Sequence, residues 1–272
     1  MNFRTSVAGI SLAALLGFSP ALWAQQAKTP TLNEILARLE ANLNHYDTSL
    51  PSLFCDEQVV SKVEPRRSDR DTVTDSVFRL RRVSSGPDTT TLVESREIKR
   101  VNGRAATSQD MKGPSLLSGA FEGGLAVVSL NQRACMKYTL ERIDPNRPTE
   151  RYIIRFATSR NSENSAECLL QEKSKGHVVI DPSSMEITHL ELTTPHHVII
   201  PGNAYESPVT GKRELTVDYA PVVLDGDTFW MPITIASQDT SGWTTWSYRA
   251  SYRNYHRLEV KSRILPGEAI AR

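Results

Sequence analysis

The sequence predicts a mainly β protein: one curved antiparallel sheet of about ten strands, with an N-terminal helix and a short helical lid segment. Three observations predict it. The stretch from Trp243 to Ile264 alternates, with Trp246, Tyr248, Ala250, Tyr252, Leu258, Val260 and Ile264 in one register and Arg249, Arg253, Arg257, Lys261 and Arg263 in the other. A period of two held for about twenty residues marks a half-buried strand with one apolar and one wet face. Upstream, shorter strand-like runs recur between turn sequences such as Asn102-Gly103 and Asp225-Gly226-Asp227. Only one segment carries a clean helical period, and it lies near the start of the chain.

Taken in order, the chain opens on Arg4, an apolar run from Val7 to Phe18, and Ala24 before Gln25. That pattern is a secretory signal peptide over residues 1–24, with a retained N-terminal anchor as the alternative. Residues 25–272 are then read as a single β domain, periplasmic or secreted. Without Arg4, the 32 basic and 31 acidic residues of the full chain come into balance, which excludes the electrostatic footprint of a nucleic-acid binder. No later segment has the length and apolarity of a membrane helix.

Thr31-Leu32-Asn33-Glu34 reads as a capping box, and Leu32, Ile35, Leu36, Leu39, Leu43 and Tyr46 follow at helical spacing, so a helix spans Leu32 to Tyr46 and covers the core. Leu50-Pro51 ends it. Leu53–Val63, Thr72–Val83 and Thr90–Val101 then read as a β-meander. The next segment breaks the pattern. Gly113, Gly119, Gly123 and Gly124 punctuate an apolar stretch that does not alternate, and residues 115–129 read as a short helix or lid, with a buried crossover as the alternative. Strands resume at Cys135–Ile143, Arg151–Ala157, Glu167–Lys173, Gly176–Ile180 and Met185–Leu192. Pro195–Gly211 reads as a long connection, followed by strands at Glu214–Val223 and Phe229–Ser237, where Pro232 demands an edge or a bulge.

Three cysteines in an exported chain leave one thiol over. Cys135 and Cys168 sit in strand-like stretches of the middle region and are paired in this reading, with Cys55 free. No nucleophile elbow, phosphate loop or His-Glu-x-x-His is present. His196-His197 is the only histidine cluster in sequence, and adjacent side chains on extended backbone point apart, so a shared metal is not expected. His256, in the apolar register, reads as a core histidine, and Asp56-Glu57 and Arg96-Glu97 read as cross-strand charge partners. No metal or cofactor is expected.

Three stretches carry a resemblance. They are Gly176-His177-Val178-Val179-Ile180-Asp181-Pro182 with Met185-Glu186-Ile187; Asp218-Tyr219-Ala220-Pro221-Val222 with Phe229-Trp230-Met231-Pro232; and Tyr252-Arg253-Asn254-Tyr255-His256-Arg257 onward. Together they resemble the periplasmic lipoprotein-carrier superfamily, the LolA/LolB-like proteins and their outer-membrane lipoprotein-sorting relatives. The chain departs from that pattern in its length, its three cysteines and the absence of the acceptor's lipid-anchor cysteine. The resemblance implies an incomplete β-barrel whose concave apolar face is closed by helices. It also implies a non-enzymatic, monomeric protein that binds a lipid or lipidated protein and meets a transient envelope partner.

At the strand of Trp243–Ile264, the length calls for a bend near Asn254 or a break, because roughly 60 Å of straight strand exceeds ordinary sheets. The expected binding wall is Val217, Tyr219, Phe229, Met231, Trp246, Tyr248, Tyr252 and Leu258, covered by Phe121 and Leu125 of the glycine-rich segment. A structural or envelope-assembly protein with a solid core is the alternative, and a hydrolase or metalloenzyme using the His196-His197 loop is a third reading.

Overall fold

The computed structural model describes residues 30–64, 71–84, 90–107, 127–129, 132–141, 151–159, 166–199 and 207–259. Helix α1 spans Leu32–Ser49. Thr31 caps it, because its Oγ1 accepts from the Glu34 amide (3.3 Å) while the Glu34 carboxylate accepts from the Thr31 amide (2.6 Å). The reciprocal pair satisfies two donors that a helix start otherwise leaves open. The helix ends where the Leu50 amide donates to the Tyr46 carbonyl, just before Pro51.

Eleven strands follow: β1 Leu53–Glu64, β2 Thr72–Ser84, β3 Thr90–Val101, β4 Arg104–Ala105, β5 Met136–Leu140, β6 Tyr152–Thr158, β7 Lys175–Ile180, β8 Ile187–Ile199, β9 Val209–Leu224, β10 Asp227–Ser241 and β11 Thr244–Arg257. All belong to one antiparallel sheet in the order β4-β3-β2-β1-β11-β10-β9-β8-β7-β6-β5. The sheet is not closed, and β4 and β5 are its edges. Two meanders, β1–β4 and β5–β11, join along a seam where the first strand pairs with the last. Asn102 and Gly103 turn β3 into β4 with φ of 50° and 77°, the left-handed pair that an Asn-Gly hairpin supplies.

Register carries an apolar belt across the sheet. Val59 of β1 lies opposite Thr74 of β2 on one side and Ala250 of β11 on the other. The row continues through Ile235, Val217, Leu190, Val178 and Ile154 to Leu140 of β5. From Val59 to Ile154 these side chains are buried, and the stripe Ile35, Leu36, Leu39 and Tyr46 of α1 belongs to the same core. Helical spacing puts that stripe on one helix face, and strand alternation puts the belt on one sheet face, so each buries the other.

Several expectations are corrected. Residues 167–173 form turns rather than a strand, tied down by the Cys168 disulfide and by Gln132, whose side-chain oxygen accepts from the Leu169 amide (2.8 Å). The long connection is shorter than expected: β8 runs through Pro195 to Ile199 and β9 starts at Val209. A register shift between Thr194 and His197 lets the proline sit inside the strand, where its missing N–H breaks no ladder bond. Pro232 marks a bulge, one of the two expected outcomes, within an interior strand. The final strand stops at Arg257, and it bends at Asn254, whose φ is 55° beside a register shift between Phe54 and Asp56. The bulge moves the inward position by one residue. His256 is therefore exposed and lies tilted beside the Phe54 ring (5.2 Å) instead of entering the core. Tyr255 turns inward in its place, and its hydroxyl donates to the Pro232 carbonyl. The lid expected over residues 115–129 lies outside the described residues except at Val127–Ser129, where Val127 and Val128 are buried in a turn.

Candidate functional site: the concave face of the sheet

Val217 and Met231 are fully buried, and Tyr219, Phe229, Tyr248 and Tyr252 are nearly so, all in one core cluster. Trp246 and Leu258 are half-buried at its margins, and Phe121 and Leu125 lie outside the described residues. The face is not uniformly greasy. Tyr219 carries a buried hydroxyl with no hydrogen-bond partner among the described residues, and burial pushes its ionisation well above the ordinary phenol range. A buried polar group left unpaired costs roughly 1–3 kcal/mol, so this hydroxyl is a costly polar point in the wall.

One end of the face holds a buried ionic cluster. On β1 the inward register reads Leu53, Cys55, Glu57, Val59. The Glu57 carboxylate accepts from Arg96 Nε at 2.9 and 3.1 Å and from Ser76 Oγ at 2.6 Å. The Arg96 guanidinium also lies 4.8 Å from the Phe78 ring centre and 3.4 Å from Glu94. Phe78 in turn meets Tyr252 edge to face at 5.6 Å. The expected cross-strand partnership therefore holds for Glu57 and Arg96, diagonally across β2 and inside the core. Asp56 instead accepts from Asn254 Nδ2 (2.7 Å), and Glu97 pairs with Arg79 and Lys99 on the wet face. Cys55, beside Glu57, is a free buried thiol whose pKa is pushed far up by burial and then by that carboxylate. Such a thiol is unreactive.

The seam between α1 and the sheet forms a narrow cleft. Leu39, Asn42, Leu43 and Tyr46 line it from the helix, and Ile187, Phe229 and Trp230 from the sheet. Its free volume is about 30 Å³, room for one or two waters and not for an acyl chain. His45 stacks on Phe229 (5.7 Å), and Asn42 Nδ2 donates to the Met185 carbonyl (2.9 Å). Glu186 sits at the rim, where burial raises its carboxyl to about 7 against the lowering effect of an Asn42 hydrogen bond.

Cys135 and Cys168 are bonded, with Cα atoms 5.5 Å apart. His197 contacts Glu172 (Nδ1 to Oε2, 2.6 Å) and His196 is exposed, so the pair does not converge. The histidines that do converge are His177 and His189, with Glu191, on the opposite sheet face. Sequence reading missed them because the three come from two strands. It also missed the depth of Glu57, although a charge in an inward register was a visible signal.

No protein-family model and no curated protein matches the chain. Solved structures similar to it include an outer-membrane lipoprotein-sorting protein domain from Vibrio parahaemolyticus, 11% identical over 81% of this chain and 90% of that one, with a TM-score of 0.39. A LolA superfamily protein from Nitrosomonas europaea is 8% identical over 83% and 94%, with a TM-score of 0.35. A DUF1329 family protein from Desulfovibrio piger is 9% identical over 82% and 91%, with a TM-score of 0.39. No residue role is transferred at these identities. Among the described residues no helix is long and apolar enough to cross a membrane.

Proposed function

We propose that this protein is an exported, non-enzymatic carrier, periplasmic or secreted and cut after Ala24, that holds an acyl chain or a lipidated protein segment against the concave face of its sheet. The observation that carries the reading is the belt from Val59 to Leu140: one apolar row crossing eight neighbouring strands, with the apolar stripe of α1 in the same core. The three stretches that resemble lipoprotein carriers support the same reading. The cleft under α1 is too small for a ligand as it stands, so uptake requires a cover to lift. The helix is one cover, and the glycine-rich segment that carries Phe121 and Leu125 is proposed as the other. The unpaired Tyr219 hydroxyl is suited to donate to a ligand carbonyl. In this reading the carrier works as a monomer and hands its cargo to a transient envelope partner.

A second reading has its own support. The small cleft also suits a structural or envelope-assembly protein whose face is filled by its own side chains. One experiment separates the two. Uptake of a fluorescent fatty acid is measured for the wild type, Tyr219→Phe and Leu125→Ser, alongside urea denaturation. For the carrier, Tyr219→Phe weakens uptake while leaving stability equal or about 1 kcal/mol higher, because it removes an unpaired buried hydroxyl. Leu125→Ser weakens uptake more than it lowers stability. No uptake by the wild type, together with a loss of several kcal/mol in Leu125→Ser, establishes the filled-core reading.

A further inference from the structure

The face opposite the belt carries a second constellation, built by β7, β8 and β9. On β7 and β8 the inward positions are Val178, Leu190 and Leu192, so His177, His189 and Glu191 project the other way. In register, His177 lies opposite Glu191, and His189 lies opposite Asp218 of β9. His177 Nδ1 is 3.6 Å from Glu191 Oε2, and His189 Nε2 is 3.2 Å from Glu191 Oε1. One ligand atom from each of the three residues falls within 4.8 Å of the others.

Those separations are close to what a small cation requires. Zinc bound at 2.0–2.2 Å to nitrogen and oxygen sets tetrahedral ligand–ligand edges of about 3.4 Å. The two imidazoles approach opposite oxygens of the Glu191 carboxylate at 3.6 and 3.2 Å, near that edge, and the whole triad stays within 4.8 Å, so small side-chain rotations suffice to gather one ligand atom from each around a cation. The other nitrogen of His189 is held as well: Nδ1 is 2.7 Å from Asp218 Oδ1. A carboxylate there fixes the proton on Nδ1 and leaves the Nε2 lone pair facing Glu191, which is how metal-binding imidazoles are oriented from behind. The side chains of His177, His189 and Glu191 are 25%, 29% and 52% exposed, so the remaining coordination position opens to solvent.

We propose that His177, His189 and Glu191 form a binding site for a divalent cation of the zinc class, with Asp218 as the residue that positions His189. Two imidazoles and one carboxylate suit a borderline cation and disfavour Ca²⁺ and Mg²⁺, which take mostly oxygen. A shallow groove lined by Lys137, Thr139, Arg155 and Lys175 meets the site at His177, so an anion from solution can occupy the open position.

The test uses the full chain after removal of any leader and tag, stripped with a chelator and titrated with ZnCl₂ alone by calorimetry. The expected result is one equivalent bound, lost in His189→Ala and in Glu191→Gln, and retained in His196→Ala. Asp218→Asn, which touches no metal, should weaken binding 10–100-fold. Cobalt substitution gives an independent readout, the visible absorption of a tetrahedral N/O site, which His177→Asn should abolish with unchanged far-UV circular dichroism. Absence of stoichiometric zinc binding overturns the proposal. So does binding that survives both His189→Ala and Glu191→Gln, since the cluster is then only a network of surface ion pairs.

Discussion

Replacing Arg96 by Met is the sharpest test of the concave face. The side chains of Arg96 and Glu57 are 8% and 0% exposed, and Arg96 Nε reaches both carboxylate oxygens. Met keeps the stem that packs on Phe78 and removes the guanidinium. Among the described residues, Glu57 is then left with the Ser76 hydroxyl as its side-chain donor. Breaking one half of a buried ion pair costs about 3–5 kcal/mol, chiefly because the surviving charge is stranded. A stabilisation of about 5–15 kcal/mol is typical of a folded domain, so the variant should lose about a fifth of its stability or more. The assay is urea denaturation at pH 7 followed by tryptophan fluorescence and far-UV circular dichroism. Removing both charges, as Glu57→Leu with Arg96→Met, should recover to within about 1 kcal/mol of the wild type, giving a coupling of roughly 2 kcal/mol or more in the double-mutant cycle. A loss under about 1 kcal/mol for Arg96→Met, the size seen for solvated pairs, would refute the claim that this cluster is dry.

Two further outcomes are expected. Glu186 has a folded pKa near 7, above its unfolded value, so its contribution is full below about pH 4.5 and is lost as pH rises through 7. Allowing for its partial solvent access, Glu186→Gln should match the wild type at pH 4.5 and exceed it by about 1–2 kcal/mol at pH 8; identical stability curves at both pH values would contradict the burial argument. Removing the disulfide as Cys135→Ala with Cys168→Ala opens a loop with a sequence separation of 33 and should cost roughly 3–4 kcal/mol on the chain-entropy account. Reduction of the wild type with dithiothreitol should reproduce that loss, and a change below 1 kcal/mol in both would show that the bond restrains little.

The sheet was readable wherever a local period governs it. Tyr248, Ala250 and Tyr252 announce their own face because a one-residue slip would bury Arg249 and Arg253. The period fails at Asn254, where one inserted residue exchanges the roles of Tyr255 and His256; sequence marks the strain point but not its direction. Pro195 illustrates the opposite error, since a proline that looks like a strand breaker is accommodated by a bulge. The ionic cluster and the outer histidines were harder for a different reason. Arg96 reaches Glu57 across 39 positions and His189 reaches Asp218 across 29, so both contacts depend on strand order, which no local pattern encodes.

The seam at the middle of the sheet has a consequence for how the chain reaches this shape. β1 has β2 on one side at once, but its other edge waits for β11, the last strand among the described residues. Val59 and Ala250 stand about 190 residues apart in sequence, a separation that makes closure entropically slow and places it late. Until then β1 presents an unsatisfied backbone edge, and the belt is split between two half-sheets with apolar faces open to water. A nascent chain therefore cannot complete this core before β11 has been made. A chain cut before β11 should carry two unjoined, aggregation-prone half-sheets rather than fold into a smaller protein.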